Sequence, residues 1–441
     1  MTDPIRLAPG ERRALLRSAG YRIAGTPIVA LLGLANTAII VRQTGSAVFG
    51  LVSLIATVTL LFPFADLGIG ATVLSASAQL ADDPSAADVV RRAYRVLFGV
   101  AAGLTVAAFT LLATGSWTVL TGLSSGPQDG WAITVAAVLF ALTIPAGLGV
   151  RILIGIDRNE LATLVLMSCP AFALLTTLAL SAAGVRPIWY CVSALVGVLA
   201  GQSVGTVAAL RLSGLGRSAF APVPEPRTRL LAGSVWLFVV GVGLPAGLQS
   251  GRLLLSHLST PDELSRYALI AQIYGVIWQV ISTAGLAYWP VFVKRRGASA
   301  ETVRIWWRIT GMFVGAAALG AVALAALGPW AAAILSGGRI DVSYQLALAF
   351  GALLLVQSTH LPANVLLTKP NEARWQAGWT VVMAALSIGL GIAVAARYGA
   401  VGVVCAAALG TLLAQVVPDL VWVPRLVRGR SAGRHRRPDG R

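Results

Sequence analysis

The chain has 441 residues, of which 57% are hydrophobic and only 12% charged, with a formal net charge of +17. Soluble domains carry about twice that charged fraction, so this composition excludes an ordinary water-soluble globule. Apolar runs of about 20 residues, the length that crosses a hydrocarbon core, recur along the whole sequence and make it an all-α polytopic membrane protein.

In chain order the periodicity predicts about twelve helices. They cover residues 19–41, 47–78, 94–115, 131–150, 161–183, 188–210, 230–251, 266–292, 305–328, 342–366, 375–396 and 400–422. Alternate loops then share one side with both termini. That side carries about 27 of the Lys and Arg residues and the other side about six, which the positive-inside rule reads as cytoplasmic termini in a plasma membrane. The basic charge is thereby explained by topology, and no nucleic-acid partner is expected. Arg6, Arg12, Arg13 and Arg17 precede a long first span without a cleavage site, so that span is expected to act as an uncleaved anchor. Trp117, Trp131, Trp189, Trp330 and Trp422 fall near predicted helix ends, as an interfacial belt requires, whereas Trp278 is expected to pack inside the bundle. Cys169, Cys191 and Cys405 all lie in apolar runs and read as small core residues without a disulfide framework.

An internal repeat relates the two halves. Ile154–Gln202 can be laid over Leu366–Gln415 at an offset of about 212 residues. Asn159-Glu160 then falls on Asn371-Glu372, Arg186 on Arg397 and Gln202 on Gln415, and upstream Pro145 resembles Pro362. Six spans per half give parallel repeats, which are expected to form two pseudo-symmetric six-helix lobes around a central cavity. The expected organisation is an N-terminal lobe at 1–210, a linker at 211–229 containing Ala221-Pro-Val-Pro-Glu-Pro226, a C-terminal lobe at 230–424 and a basic tail at 425–441.

Val41-Arg-Gln-Thr-Gly45, then Phe49-Gly50, then Phe64-Ala-Asp-Leu-Gly68 resembles the opening of the polysaccharide transport family. These are the Wzx-type flippases of the multidrug/oligosaccharidyl-lipid/polysaccharide exporter superfamily. Arg252-Leu-Leu-Leu-Ser256, Tyr267-Ala268, Leu335-Ser-Gly-Gly338 and Arg397-Tyr-Gly-Ala-Val-Gly402 resemble later segments of the same family. The resemblance implies export of a polyprenyl-pyrophosphate-linked oligosaccharide to the outer leaflet by ion-driven alternating access. It also implies a membrane location, no cofactor, and other polysaccharide polymerisation and export proteins as further candidate partners. The family often carries an acidic residue near the position of Gly251, which this chain lacks, so the resemblance assigns no cation coupling to that helix.

Moving a diphosphate through a membrane calls for cations, and the planar fork of arginine suits phosphate oxygens. Arg22, Arg42 and Arg252, at the ends of spans, are the candidates; snorkelling of the long stem to the interface is the alternative. Asp66 stands alone inside an apolar stretch, where a carboxylate costs about 2.5–3.5 kcal/mol even on the lenient insertion scale. It serves either as a coupling-ion site or Arg partner, or as a cap for the helix restart after Pro63. Gln357, His360 and Asn364 share one face of the tenth span; they either line a glycan cavity, with Gln249, or form a buried interhelical patch. Gln272, Gln279 and Asn36 have the same two readings, and Asp419 is placed near the cytoplasmic end of the last span. Gly197–Gly201 and Gly311–Gly315 both have the Gly-x-x-x-Gly spacing of close helix packing.

A multidrug exporter of the same superfamily is expected to carry an acid where this chain has Asn36, and a lipid II flippase is expected to have extra spans. A polyprenyl-dependent glycosyltransferase or ligase needs acidic or His groups on an outer loop, and 116–130 offers only Asp129. Lys294 and Lys369 are the only lysines and neither stands in a phosphate-binding loop, so the chain alone is not an ATPase. His257, His360 and His435 are too scattered to suggest a metal enzyme.

Overall fold

A computed structural model describes residues 9–57, 69–80, 82–122, 127–222, 235–286, 288, 292, 299–367 and 370–434. Among them there is no β-strand. Nine helices among the described residues are long and apolar enough to cross a membrane, and Val239–Gln249 is a shorter apolar one. Several of the twelve predicted spans are continuous with a neighbour. The first two share α1 (Pro9–Ala56), which bends where Gly45 adopts φ 71° and ψ 177°. The last two are joined through α14 (Pro370–Thr411), bent at Gly399 with φ 52° and ψ −138°. A glycine without Cβ turns the chain at both places without a loop.

The chain divides into two compact units. The first comprises Met1–Thr44, Ile55–Leu120 and Ser124–Val235, and the second Gly45–Leu54, Thr121–Leu123 and Trp236–Arg441. The changeover within α1 falls at Gly45 itself.

In the first unit, α2 (Ile69–Ser77), α3 (Ser85–Ala113), α4 (Trp117–Thr121), α5 (Pro127–Ala146), α6 (Leu148–Gly155), α7 (Asn159–Ala182) and α8 (Val192–Leu212) follow α1. Val90, Ala93, Tyr94, Leu97 and Ala101 recur at three- and four-residue spacing on α3 and form its buried stripe. The first four meet Ile69 and Val73 of α2 and Leu148, Ile152 and Leu153 of α6 in one core. Just before α3, Asp83 accepts hydrogen bonds from the Ser85 hydroxyl and backbone N–H, and these hold its carboxyl below the usual range. The first part of the predicted linker is packed: a short 3-10 helix at Gly216–Phe220 buries Ala219, receives Arg91 Nε on the Ser218 carbonyl at 2.9 Å, and sets Phe220 edge-on against Tyr94. The Pro-rich remainder lies outside the described residues.

Helices α7 and α8 touch along a glycine stripe. Gly197, Gly201 and Gly205 lie one turn apart, and a Cβ on Gly197 would stand 2.6 Å from the Ala173 backbone N and the Cys169 carbonyl. The Gly197–Gly201 pair is therefore a close-packing motif. The Gly311–Gly315 expectation fails: both glycines sit on an exposed face of α12 (Ser299–Ser336) with nothing within 4 Å. Spacing alone does not say which face meets a neighbour.

The second unit contains α9 (Val235–Gln249), α10 (Gly251–Leu258), α11 (Pro261–Leu286), α12, α13 (Tyr344–Leu366), α14, a π-helical turn at Leu412–Val416 and α15 (Val417–Arg434). Here α13 is central, packing against α11, α12, α14 and α15. The bend at Gly399 is held by Glu263, whose Oε2 accepts the Ala400 N–H at 2.8 Å while Oε1 pairs with Arg266. Glu263 thus caps a helix restart from another helix. Removing a cap costs about 0.5–2 kcal/mol, so Glu263→Ala is expected to lower the melting temperature of the purified protein measurably. Glu263→Gln, which keeps an acceptor, should lose less; equal losses would show that the cap is not what stabilises this bend.

Two side-chain placements differ from expectation. Cys169 and Cys191 are buried but Cys405 is exposed. Trp117 is buried, donating to Thr134 Oγ1 at 2.9 Å, so it is an internal strut, whereas Trp131, Trp330 and Trp422 are exposed.

Candidate functional site

The strongest concentration of unusual polar chemistry lies where α9 gives way to α10. Ser250 separates the two helices, and Arg252 on the first turn of α10 is only 4% exposed. Its Nη1 donates to Gln249 Oε1 at 2.8 Å, its Nε to Ser53 Oγ at 3.3 Å, and its guanidinium carbon lies 5.5 Å from the centre of the Tyr267 ring. All these partners are neutral, and none of the salt bridges among the described residues involves Arg252. A cation this buried is ordinarily matched by an acid, because desolvating it alone is costly. The Tyr267 face offsets part of that cost.

The surroundings explain why this segment has its residues. Ser265 accepts the Gly50 N–H at 2.9 Å and donates to the Ser46 carbonyl, pinning 46–50 to α11. A side chain at Gly50 would meet Leu264 and Ser265 at 2.8 Å, so glycine is required there. Gly251 is equally constrained: a Cβ would lie 2.8 Å from the Tyr267 hydroxyl and 2.9 Å from Val403. The space in which the resembling family's acid would stand is filled here by the tyrosine.

The polar face of α13 is resolved into three separate ties. Gln357 Oε1 accepts the Tyr274 hydroxyl of α11, His360 Nδ1 lies 2.6 Å from Asp419 Oδ2 of α15, and Asn364 Oδ1 accepts from Gln376 Nε2 of α14 at 2.6 Å. His360 is 7% and Asp419 2% exposed. One turn apart, each residue ties α13 to a different helix, as an interhelical patch does. Asp419 is therefore buried against a partner. Its apolar surroundings and Pro418 were visible in sequence, but the residue opposite it was not.

The remaining candidates are dispersed. Arg42 is exposed on α1, so it does not share the burial of Arg252 despite its similar place in the repeat. Arg22 lies on α1 with its side chain outside the described set, and Asp66 lies outside the described residues altogether. Gln272 and Gln279 are exposed, and Trp278 is half-buried. Asn36 Oδ1 is buried without a hydrogen-bond partner among the described residues. Gln202 and Gln415, aligned by the repeat, each have one buried amide atom in the same condition. Two open recesses of the second unit, about 500 and about 600 Å³, are lined by Arg374, Trp375 and Trp379 and by Glu263, Arg266 and Arg397 respectively. Neither takes in Arg252 or His360.

Residues 15–295 match the family described as polysaccharide biosynthesis protein. No curated protein matches the sequence significantly. Among solved structures, an inward-facing multidrug resistance MATE family transporter of the MOP superfamily superposes with a TM-score of 0.65 at 13% identity, over 93% of this chain and 96% of the other. The lipid II flippase MurJ, in an inward closed conformation, gives 0.64 at 11% identity, over 93% and 89%. A MOP superfamily transporter from Pyrococcus furiosus, whose binding pocket is described as reversed in polarity, gives 0.62 at 13%, over 95% and 96%. At these identities the likeness is one of fold.

Proposed function

Because this chain belongs to the polysaccharide biosynthesis protein family and has the fold of MOP superfamily transporters, we propose that it is a flippase for a polyprenyl-pyrophosphate-linked oligosaccharide. In this reading it moves the lipid-linked glycan from the cytoplasmic to the outer leaflet of a bacterial plasma membrane, with both termini cytoplasmic and an ion gradient as the driving force. It carries out no bond-making step. The skew of arginines to one set of loops supports the orientation.

The observation that carries the reading is Arg252. A guanidinium held by an amide, a hydroxyl and a ring face keeps its full charge for an incoming anion, and its fork can donate to two oxygens of a diphosphate. Gln249 is the neighbour placed to share that contact or to reach a sugar hydroxyl. Arg22, Arg42 and Asp66 remain candidates for the substrate path and for coupling.

Deletion of the gene should abolish display of the surface glycan and cause the lipid-linked precursor to accumulate facing the cytoplasm, as measured by lectin labelling of intact and permeabilised cells. Normal surface display in the deletion strain would refute the proposal. Arrested wall synthesis would point to lipid II instead, and altered drug tolerance with intact glycan to a multidrug exporter.

A further inference from the structure

His360 and Asp419 are the one described histidine–carboxylate pair, and both are buried. With Asp419 ionised, the imidazole donates from Nδ1 to Oδ2, and Nε2 is left as a buried acceptor without a partner among the described residues. In that state the pair carries a net charge of −1. One further proton, placed on Nε2, makes it an imidazolium–carboxylate pair with no net charge. A low-dielectric interior tolerates the neutral pair far better than the uncompensated carboxylate.

The helices bearing the pair are weakened at that level. Pro362 deprives the Ser358 carbonyl of its helical hydrogen bond, so the α13 ladder is interrupted around His360. On the other side, the π-helical turn Leu412–Val416 and Pro418 stand immediately before Asp419. π-Turns inside helices recur at functional sites because they leave backbone groups free to re-pair. Gln415, one turn before Asp419, also has an unpartnered buried Nε2.

We propose that His360 and Asp419 form the proton-carrying coupling site of this transporter, holding one proton while α13 and α15 are packed together and releasing it when they part. The proposal rests on the transport reading above and gives its driving ion a place. Among the described residues, no base other than His360 forms an ion pair with Asp419. On α11, Tyr274 is buried and bonded to Gln357, Tyr267 is buried against Arg252, and Asp262, Glu263 and Arg266 lie at its opening turns. On α12, Glu301, Arg304 and Arg308 are exposed. On α14, Glu372 is buried with a partner of its own, while Arg374, Arg397, Tyr398 and Cys405 are exposed. On α15, Arg425 is exposed.

The test is hydrogen–deuterium exchange of the full-length protein in lipid nanodiscs between pH 5 and 9, corrected for intrinsic exchange, with the proton as the only ligand. Release of one proton on opening makes the opening constant of segments 353–366 and 412–424 rise about tenfold per pH unit over the titrating range. Asp419→Asn and His360→Gln should each remove that dependence, and Glu372→Gln should keep it. A flat profile in the unmodified protein, or a slope that survives His360→Gln, overturns the proposal, and the first result needs no variant to fold. The exchange measurement is independent of glycan display. A slope in a protein whose deletion spares the surface glycan would refute the transport reading alone, while lost glycan with a flat profile would refute only the proton site.

Discussion

Replacing Arg252 by methionine is expected to abolish glycan export while leaving the protein at least as stable as before. Two effects set the stability. Methionine has a similar length and no charge, so it removes the cost of burying a guanidinium among neutral partners; substitutions of this kind in buried ion clusters are neutral or stabilising by about 1–4 kcal/mol. Against that, Gln249 and Ser53 each lose a donor, at about 1–3 kcal/mol for a group left unsatisfied. The terms nearly cancel, and the melting temperature should be unchanged or raised. Transport has no such compensation. Each lost charge-assisted hydrogen bond to a phosphate is worth about 1.5–3 kcal/mol, or about 10- to 100-fold in affinity. Arg252→Lys should recover only part of it, because an ammonium cannot make the two parallel contacts. Melting curves and glycan display from the same preparations separate the outcomes. If methionine lowers the melting temperature by many degrees, Arg252 is a structural clamp and the anion-site reading is lost.

Gly197→Leu should be strongly disruptive in the first unit. Its Cβ alone would lie 2.6 Å from backbone atoms of α7, which cannot move aside as a flexible side chain would. Overpacking costs about 1–3 kcal/mol where neighbours can adjust, and more is expected where backbone must shift. Gly311→Leu, with the same spacing motif and open space around it, should change stability by less than about 0.5 kcal/mol. Thermal aggregation of the two variants in detergent, followed by size-exclusion fluorescence, checks the contrast. Equal losses would mean that the glycine stripe is not what sets the α7–α8 distance.

These two glycine pairs show how far the sequence carried the structure and where it stopped. Hydropathy located the helical segments because membrane insertion depends on local composition. The stripe of Val90, Ala93, Tyr94 and Leu97 was legible for a similar reason, as its periodicity is built into the chain. Which face meets which neighbour is a tertiary fact, so Gly197 and Gly311 looked alike. The bends at Gly45 and Gly399 looked like loops because a single residue with positive φ leaves the same trace in hydropathy as a short turn. The candidate residues followed the same pattern. Gln249 and Arg252, three residues apart at the α9–α10 break, were found and do meet. Gln357, His360 and Asn364 were grouped correctly on one face, but their partners Tyr274, Asp419 and Gln376 come from three different helices. No spacing rule connects residues 59 positions apart.

The phenol that fills the room beside Gly251 constrains how this lineage could change its energy source. An aspartate introduced at 251 by one codon change would collide with Tyr267 and Val403 before it could attract any cation. Tyr267 would have to be trimmed first, and that step strips the aromatic face from Arg252. Any mutational path toward an acid at this position therefore runs through a form with a less well-sheltered arginine, and the order of the two steps is fixed by steric exclusion.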